Sequence, residues 1–180
     1  MGVNVVKGSA RFVSPREVEV GNQRIRGRRF LIATGSRPTV PPIEGLEKTG
    51  YFTHVEAFDR DSIPASLAVI GGGPIGIELA QAFRRLGTDV TVIEMLDRIM
   101  VREDPELAEG LTQQLKQEGI RILTGRVVTH VERSGTHRSI TIKATGPGRS
   151  SSVHDLELTE VIEVDEVLVA TGRRPNTENL

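Results

Sequence analysis

The sequence contains no cysteine and no tryptophan, and aromatic residues make up only 3% of its 180 residues. Without cysteine the chain cannot form a disulfide, a thiolate metal site or a thiol nucleophile, so any redox chemistry must come from a cofactor or from another part of a larger protein. The four histidines are scattered along the chain without the spacing of metal ligands. We therefore expect no metal site.

The chain also lacks an excess of either charge and any long hydrophobic run. Its 23 basic and 24 acidic residues give a net charge of -1, which provides no overall positive field for nucleic acid or an anionic membrane surface. No window approaches the ~18 consecutive apolar residues of a membrane span, and the first residues do not have the pattern of a secretory signal. We expect a cytoplasmic protein that binds neither nucleic acid nor membrane.

Residues 1–40 are predicted to form a small antiparallel meander. Turn signals separate five short strands, at residues 3–6, 10–13, 17–20, 24–26 and 30–33. A unit of this size has too few large apolar side chains for a core of its own, so we expect it to be mobile or to self-associate when isolated. A proline-rich connection follows, and we place a domain boundary after residue 40.

From residue 66 the pattern changes to alternating strands and helices. Apolar runs predict parallel strands buried on both faces, at residues 66–71, 89–94, 120–123 and 166–170. Helical spacing predicts helices over residues 74–86 and 104–118. Three β-rich segments predict a meander inserted before the last strand, at residues 127–132, 139–144 and 157–164. The fold class is therefore α/β, a nucleotide-binding domain with a parallel sheet and a three-stranded β-meander crossover.

The second of these helices has clear sequence signals. Asp104 is placed to cap its N-terminus, and Pro105 occupies the first helical position. Leu107, Leu111 and Leu115 recur at helical spacing. We expect these three leucines to face the sheet.

The strongest functional signal is the motif Gly71-Gly72-Gly73-Pro74-Ile75-Gly76, a G-x-G-x-x-G between a predicted strand and a predicted helix. Gly71 permits the tight turn, Gly73 lets the backbone approach a pyrophosphate, and Gly76 lets the helix pack closely on the strand. The helix N-terminus offers free N–H groups to the phosphates. Pro74 has no N–H, and at this position an N–H would have no acceptor within the helix. The motif predicts a dinucleotide site, the alternative being a glycine-rich turn without a ligand.

Glu94 supplies the acidic residue that such a site needs. It ends the second predicted strand, 18 residues after Gly76, close to the ~20 expected for the residue that accepts hydrogen bonds from the adenosine ribose. A carboxylate there repels a 2′-phosphate, so we predict NAD(H) in preference to NADP(H). Arg98 and Arg102 lie just downstream and could moderate this preference, and a solvated strand-end carboxylate is the alternative interpretation.

Three stretches of the chain resemble one family of flavoproteins: IATGSRPTVPPIEGL, LAVIGGGPIGIELAQAFRRLGTDVTVIE and VLVATGRRPNTENL. They are similar to the pyridine nucleotide–disulfide oxidoreductases, which include dihydrolipoamide dehydrogenase, glutathione reductase and mercuric reductase. The resemblance covers essentially the whole chain. AQAFRRLG, REDP and RPNT look most like mercuric reductases, whereas GGGPIGIE and IEMLDRI look more like dihydrolipoamide dehydrogenase, so the subfamily stays open.

The resemblance implies a flavin-dependent enzyme that passes a hydride from a nicotinamide cofactor to FAD and onward to a disulfide or a metal ion. Residues 41–180 would be its central NAD(P)-binding domain and residues 1–40 the end of its FAD-binding domain. The family's first FAD fingerprint, redox cysteine pair and dimerisation domain do not occur in this sequence. We therefore expect a segment of a longer, homodimeric enzyme, inactive by itself.

The resemblance also implies roles for residues outside the fingerprint. Ala33-Thr34-Gly35 would pass next to FAD, and Glu78 would lie near the nicotinamide ring and the flavin. The backbones of Val127 and Gly172 would line the nucleotide site. The structural alternatives are a strand end for residues 33–35, an exposed helix carboxylate for Glu78, a meander core residue for Val127 and a loop turn for Gly172.

Two other functions stay open at this point. One is a stand-alone dinucleotide-binding module without turnover, and the other is a parent enzyme of the NADH oxidase or peroxidase type. A Cys-x4-Cys motif preceding residue 1 would separate them from a disulfide reductase. The terminal electron acceptor would be set by residues outside this segment.

Overall fold

The structure, a computed structural model, describes residues 2–145, 159–178 and 180. The chain divides into two compact units, one formed by Met1–Arg37 with Arg173–Leu180 and the other by Pro38–Gly172. The sequence places a domain boundary after residue 40, and the identity of the two parts stays a prediction. The last eight residues group with the first unit, however, whereas the sequence analysis assigned them to the second.

The elements of the described residues follow one another in this order along the chain: β1 (Ala10–Ser14), β2 (Glu17–Val20), β3 (Gln23–Arg26), β4 (Ser36–Pro38), α1 (Leu46–Thr49), β5 (Ser66–Ile70), α2 (Pro74–Arg85), β6 (Asp89–Ile93), α3 (Pro105–Gln117), β7 (Arg121–Leu123), β8 (Arg126–Ser134), β9 (His137–Ala144), β10 (Thr159–Val164), β11 (Glu166–Val169) and β12 (Arg173–Pro175). None of the helices in these ranges is long and apolar enough to span a membrane.

The first unit contains a three-stranded antiparallel sheet in the order β1-β2-β3, and β4 pairs with β12. Its apolar packing is small. The rings of Phe12 and Phe30 stack edge to face with centroids 5.1 Å apart, and Val20 is the one buried apolar side chain among the described residues of this unit. The sheet is thus held mainly by its backbone ladder.

Two strands predicted for this unit are wrong. Residues 3–6 and 30–33 lie in irregular backbone. A strand requires a partner for its backbone N–H and C=O groups, and neither segment pairs with another within the described part of the chain. Their apolar side chains are correspondingly exposed, with Val3 at 87% and Leu31 at 93%.

The second unit is a three-layer α/β structure. Four of its strands form a parallel sheet in the order β11-β5-β6-β7, as predicted. Leu67 and Val69 of β5 pack with α2 and α3 on one face, whereas Ala68 and Ile70 pack with the meander β8-β9-β10 on the other. Both faces of the sheet are therefore covered, which explains the continuous apolar runs of its strands. The predicted third meander segment begins at residues 157 and 158, which lie outside the described residues.

The two long helices differ in how well their buried faces could be predicted. Helix α2 buries Ile77, Ala80 and Phe83, as its spacing indicates. Helix α3 begins as predicted, with the Asp104 carboxylate accepting hydrogen bonds from two N–H groups of its first turn, but Leu107 is 73% exposed. The buried residues of α3 are Ala108, Thr112 and Leu115. The helix is rotated toward its smaller side chains, so the assignment of Leu107 to the sheet face is wrong.

Candidate dinucleotide-binding site

The fingerprint lies at the carboxyl edge of the parallel sheet. Ile70 is the register partner of both Val169 and Ile93, so strands β5, β6 and β11 end side by side. The next residues along the chain are Gly71 and Glu94, together with Ala170. In open α/β sheets, ligands bind in the crevice outside this edge.

Two of the fingerprint glycines are required by close packing. Gly71 has φ +112°, and a Cβ built on it would lie 2.5 Å from the carbonyl oxygen of Ala170. A Cβ on Gly76, in the first turn of α2, would lie 2.1 Å from the carbonyl oxygen of Gly71. A side chain at either position would therefore push α2 or the loop after β11 away from β5.

Gly73 is different, because apart from its chain neighbours no atom of the described residues lies within 4 Å of a Cβ built there. Its backbone is extended, with φ −79° and ψ 178°, a conformation that any residue adopts. The fold itself does not require glycine at this position. The open space in front of the Gly73 backbone is where the fingerprint pattern places a pyrophosphate.

The N-terminus of α2 adjoins this open space and carries no competing group. Gly73 is the N-cap residue, so no side chain caps the helix, and the first turn contains no acidic residue. Pro74 occupies the first turn without an N–H, and the N–H groups of Ile75 and Gly76 have no acceptor within the helix. Unpaired N–H groups and the positive end of the helix dipole together favour an anion here.

Glu94 contacts the fingerprint directly. The N–H of Gly72 donates to its Oε2 over 2.6 Å, and the N–H of Leu96 donates to its Oε1 over 2.9 Å. The side chain is half-buried. Two backbone donors thus hold the carboxylate at the end of β6, beside the glycine loop.

The loop over residues 95–103 is anchored to the same glycine. The N–H of Met100 donates to the carbonyl oxygen of Gly72 over 2.8 Å, and Met100 has φ 50°. Ile99 is fully buried, and its Cγ2 would lie 2.9 Å from a Cβ on Gly72. Gly72, Leu96 and Met100 could not be singled out from the sequence. The run of three glycines was the one available signal, since Gly72 occupies a variable position of the motif.

The two arginines downstream of Glu94 differ in their contacts. Arg98 donates from Nη2 to the carbonyl oxygen of Val101 over 2.7 Å, and its buried Nε has no partner within the described residues. Arg102 is exposed. Arg98 therefore serves the loop's own structure, and neither arginine forms an ion pair with Glu94.

Two further residues predicted for the nucleotide site, Glu78 and Val127, lie on α2 and β8. Glu78 is exposed on α2, two residues after Gly76. Val127 is half-buried in β8 and follows Arg126, whose N–H donates to the carbonyl oxygen of Glu94 over 3.0 Å. No hydrogen bond joins Glu78 or Val127 to residues 71–76 in the part of the chain that the structure describes.

Gly172 is an exposed loop residue two positions after Ala170. Its carbonyl oxygen accepts a hydrogen bond from the N–H of Thr39 over 2.9 Å. The backbone of Ala170 lies close to Gly71, and this packing keeps the start of the loop at the sheet edge. No hydrogen bond of Gly172 itself reaches the fingerprint within the described ranges.

Ala33-Thr34-Gly35 lies in the first unit and is exposed. The Thr34 hydroxyl donates to the carbonyl oxygen of Asn176 over 2.5 Å. Asn176 in turn donates from its Nδ2 to the Thr34 carbonyl oxygen and from its N–H to the Gly35 carbonyl oxygen. Arg37 also donates to the Asn176 side chain over 2.7 Å. Asn176 therefore fixes this segment, a role that its place in the RPNT motif did not reveal.

Residues 2–145, 159–178 and 180 contain no group of three His, Cys, Asp or Glu side chains that could hold a metal ion.

Comparisons with known proteins agree along the whole chain. The family described as pyridine nucleotide-disulphide oxidoreductase matches residues 1–180. A mercuric reductase of Staphylococcus aureus is 39% identical over 179 residues, which cover 99% of this chain and 31% of the relative. A dihydrolipoamide dehydrogenase of Chaetomium thermophilum is 39% identical over 186 residues, covering 99% and 35%.

A solved structure leads to the same family. The Cu(II) complex of the HOCl-induced flavoprotein disulfide reductase RclA from Escherichia coli superposes with a TM-score of 0.77 and 27% identity, over 98% of this chain and 38% of that one. The chain spans about a third of the length of the curated relatives it matches. The resemblance found in the sequence and the α/β fold are both confirmed, and the chain belongs to the pyridine nucleotide-disulphide oxidoreductase family.

Proposed function

We propose that this chain binds NAD(H) at residues 71–76 and forms the nucleotide-binding segment of a flavin-dependent oxidoreductase. In the longer enzyme a hydride would pass from the nicotinamide to FAD, and the two electrons would then reduce a disulfide or a metal ion. Relatives named mercuric reductase and dihydrolipoamide dehydrogenase support this chemistry. The segment's own contribution is binding, orientation and electrostatics, since the cofactors carry out the redox steps.

The observation that carries the proposal is the contrast among the three glycines. Gly71 and Gly76 are packed against backbone oxygens, whereas Gly73 faces open space at the uncapped N-terminus of α2. Packing alone explains the first two glycines but not the third. A pyrophosphate lying against the Gly73 backbone, with the N–H groups of Ile75 and Gly76 as donors, accounts for it.

Glu94 supports NAD(H) over NADP(H). Its carboxylate oxygens each accept one backbone N–H, and each retains further lone-pair capacity for a ribose hydroxyl. A 2′-phosphate would place negative charge against a carboxylate that the Gly72 and Leu96 N–H groups hold in place. Arg98, which could offset this repulsion, donates to Val101 instead.

The other residues implied by the resemblance have more general roles in this proposal. Glu78 lies on the helix that begins at the proposed pyrophosphate site. Val127 lies at the start of β8, next to Arg126, whose N–H donates to the carbonyl oxygen of Glu94, and Gly172 lies in the loop after β11. All three would therefore border the bound dinucleotide. FAD bound to the longer enzyme would supply the hydride acceptor. For FAD this chain offers the exposed backbone of Ala33-Thr34-Gly35, held by Asn176. We also propose that the longer enzyme is a cytoplasmic homodimer.

Calorimetric titration of the chain with NADH and with NADPH tests the proposal. We expect NADH to bind at least about tenfold more tightly, a difference of about 1.4 kcal/mol. Glu94→Arg should reverse the preference, because a cation replaces the acceptor. Glu109→Arg, an exposed position on α3, changes the net charge equally and should leave the preference unaltered. Equal or tighter binding of NADPH by the unaltered chain would contradict the proposal.

A further inference from the structure

The near-neutral charge of the whole chain conceals a strongly basic first unit. Met1–Arg37 and Arg173–Leu180 contain ten Lys or Arg residues and three Asp or Glu residues, a net charge of +7. The complete sequence has 23 basic and 24 acidic residues. A unit with this excess attracts anionic partners, whatever the charge of the whole chain.

Part of this positive charge is compensated within the unit. Arg11 and Arg24 form ion pairs with Glu19, at 2.7 and 3.5 Å, and Arg37 pairs with Glu178 at 2.5 Å. Four further arginines are exposed, and their side chains form no ion pair or hydrogen bond within the described residues; we call them the arginine cluster, which consists of Arg16, Arg26, Arg28 and Arg29.

Backbone pairing brings the arginine cluster to one end of the β1-β2-β3 sheet. The N–H of Gly27 donates to the carbonyl oxygen of Arg16 over 3.1 Å, and Arg26 is the register partner of Glu17. The turn between β1 and β2 therefore adjoins the end of β3. Arg28 and Arg29 continue from that end, so the four guanidinium groups originate from neighbouring backbone positions.

Strand β3 is an edge strand, since it pairs with β2 and with no other strand among the described residues. All four of its residues, Gln23–Arg26, are exposed. Arg24 and Arg26 point to one face of the sheet and Ile25, 38% exposed, to the other. The outer edge thus presents unpaired backbone groups together with alternating basic and apolar side chains.

We propose that β3 and the arginine cluster form a docking surface for an extended acidic segment of a partner protein, which adds to the sheet as a fourth strand. Its backbone would pair with the free edge of β3, as in β-strand addition. Carboxylates on alternate residues would meet the guanidinium groups, whose forked donors match carboxylate geometry. The residues between them would contact Ile25.

The surface fits a peptide better than other polyanions. Single-stranded nucleic acid requires aromatic rings on which bases stack, and the two aromatic rings of this unit, Phe12 and Phe30, stack on each other. A lipid headgroup could pair with guanidinium groups but would leave the backbone groups of β3 without partners. The combination of a free strand edge with unpaired arginines therefore favours an acidic peptide.

Fluorescence anisotropy tests the proposal with a labelled octapeptide of alternating Glu and Val residues and the intact 180-residue chain. We expect saturable binding that weakens as salt is added. An octapeptide of alternating Lys and Val should not bind. N-methylation of alternate peptide bonds, which removes the backbone donors facing β3, should weaken binding at least tenfold.

Variants locate the surface and separate it from the nucleotide site. The triple variant Arg26→Glu, Arg28→Glu and Arg29→Glu should lose peptide binding and still bind NADH like the unaltered chain. Arg133→Glu, an exposed arginine on β8, should bind the peptide normally. The proposal is overturned if the acidic peptide does not bind, if the N-methylated peptide binds equally well, or if the triple variant retains binding. Tighter, arginine-dependent binding of duplex DNA or phosphatidylserine vesicles would also overturn it.

Discussion

Gly71, Gly73 and Gly76 belong to one motif, but the reason for glycine differs among the three positions. Gly71 and Gly76 are glycines because neighbouring backbone oxygens leave no room for a Cβ. At Gly73 the surroundings are open and the backbone conformation suits any residue. The same substitution should therefore have different consequences at Gly73 and Gly76.

Gly73→Val should abolish NADH binding while changing the free energy of unfolding little, because its side chain would occupy only the space proposed for the pyrophosphate. Gly76→Val should instead destabilise the fold by roughly 1–3 kcal/mol, as overpacking against backbone does. Urea denaturation and NADH titration of both variants measure the two effects. NADH binding by a folded Gly73→Val variant would show that the motif is only a structural turn.

The individual contacts around Glu94 were harder to predict than the motif. The sequence identifies Glu94 by its distance from Gly76 and its position at a strand end. The hydrogen bonds donated by the N–H groups of Gly72, Leu96 and Met100 depend on the path of the loop after β6. That path depends on the burial of Ile99 against the core, a tertiary contact without local periodicity.

Strands and helices were predictable where their own side chains determine burial. The four parallel strands and α2 have one consistent apolar pattern, and the structure contains them. Residues 30–33 have an equally apolar pattern but form no strand, because pairing depends on a partner elsewhere. For α3 the leucine spacing was misleading, since the helix buries Ala108 and Thr112 and leaves Leu107 exposed.

The connection from β10 to β11 offers a pH-dependent test of how the parallel sheet is joined to the meander. The Asp165 carboxylate accepts from the Ser66 N–H over 2.8 Å and contacts His137 Nδ1 at 2.8 Å. Burial raises the pKa of Asp165, but the hydrogen bonds from Ser66 and the contact with His137 together lower that pKa below its ordinary value of 3.8. The ionised carboxylate therefore stabilises the folded state above that pH.

Asp165→Ala should lower the free energy of unfolding by about 1–3 kcal/mol at pH 7, because it leaves the Ser66 N–H without its charged acceptor. The difference from the unaltered chain should shrink as the pH falls below 3.8 and the carboxylate is protonated. Asp89→Ala is the matched control, since Asp89 is the register partner of Ser66 and its ion pair with Arg84 is exposed. A pH-independent loss in Asp165→Ala would contradict this explanation.

The two units differ greatly in how much apolar surface they bury. The first has Val20 as its one buried apolar side chain among the described residues, whereas the second has a core on both faces of its parallel sheet. The sequence indicated this difference through the few large apolar residues before residue 40. It did not indicate that residues 173–180 join the first unit, which depends on contacts of Asn176 and Arg173 with distant residues.

Hydrogen exchange measured by mass spectrometry should therefore show two levels of protection. We expect amides of β1, β2 and β3 to exchange at least tenfold faster than those of β5 and β6, because few buried contacts oppose opening of the first unit. Light scattering on the same sample controls for self-association, which would protect the exposed apolar residues. A monomer with equal protection in both units would contradict the expectation.

The central claim, that residues 71–76 bind the dinucleotide, is tested most directly by NMR titration of the ¹⁵N-labelled chain with NADH. We predict the largest saturable shifts at the amides of Gly72, Gly73, Ile75 and Gly76, and at Leu96 beside Glu94. Gly73→Val should remove these shifts. Shifts concentrated away from the carboxyl edge of the parallel sheet, or no saturable shifts at all, would contradict the claim.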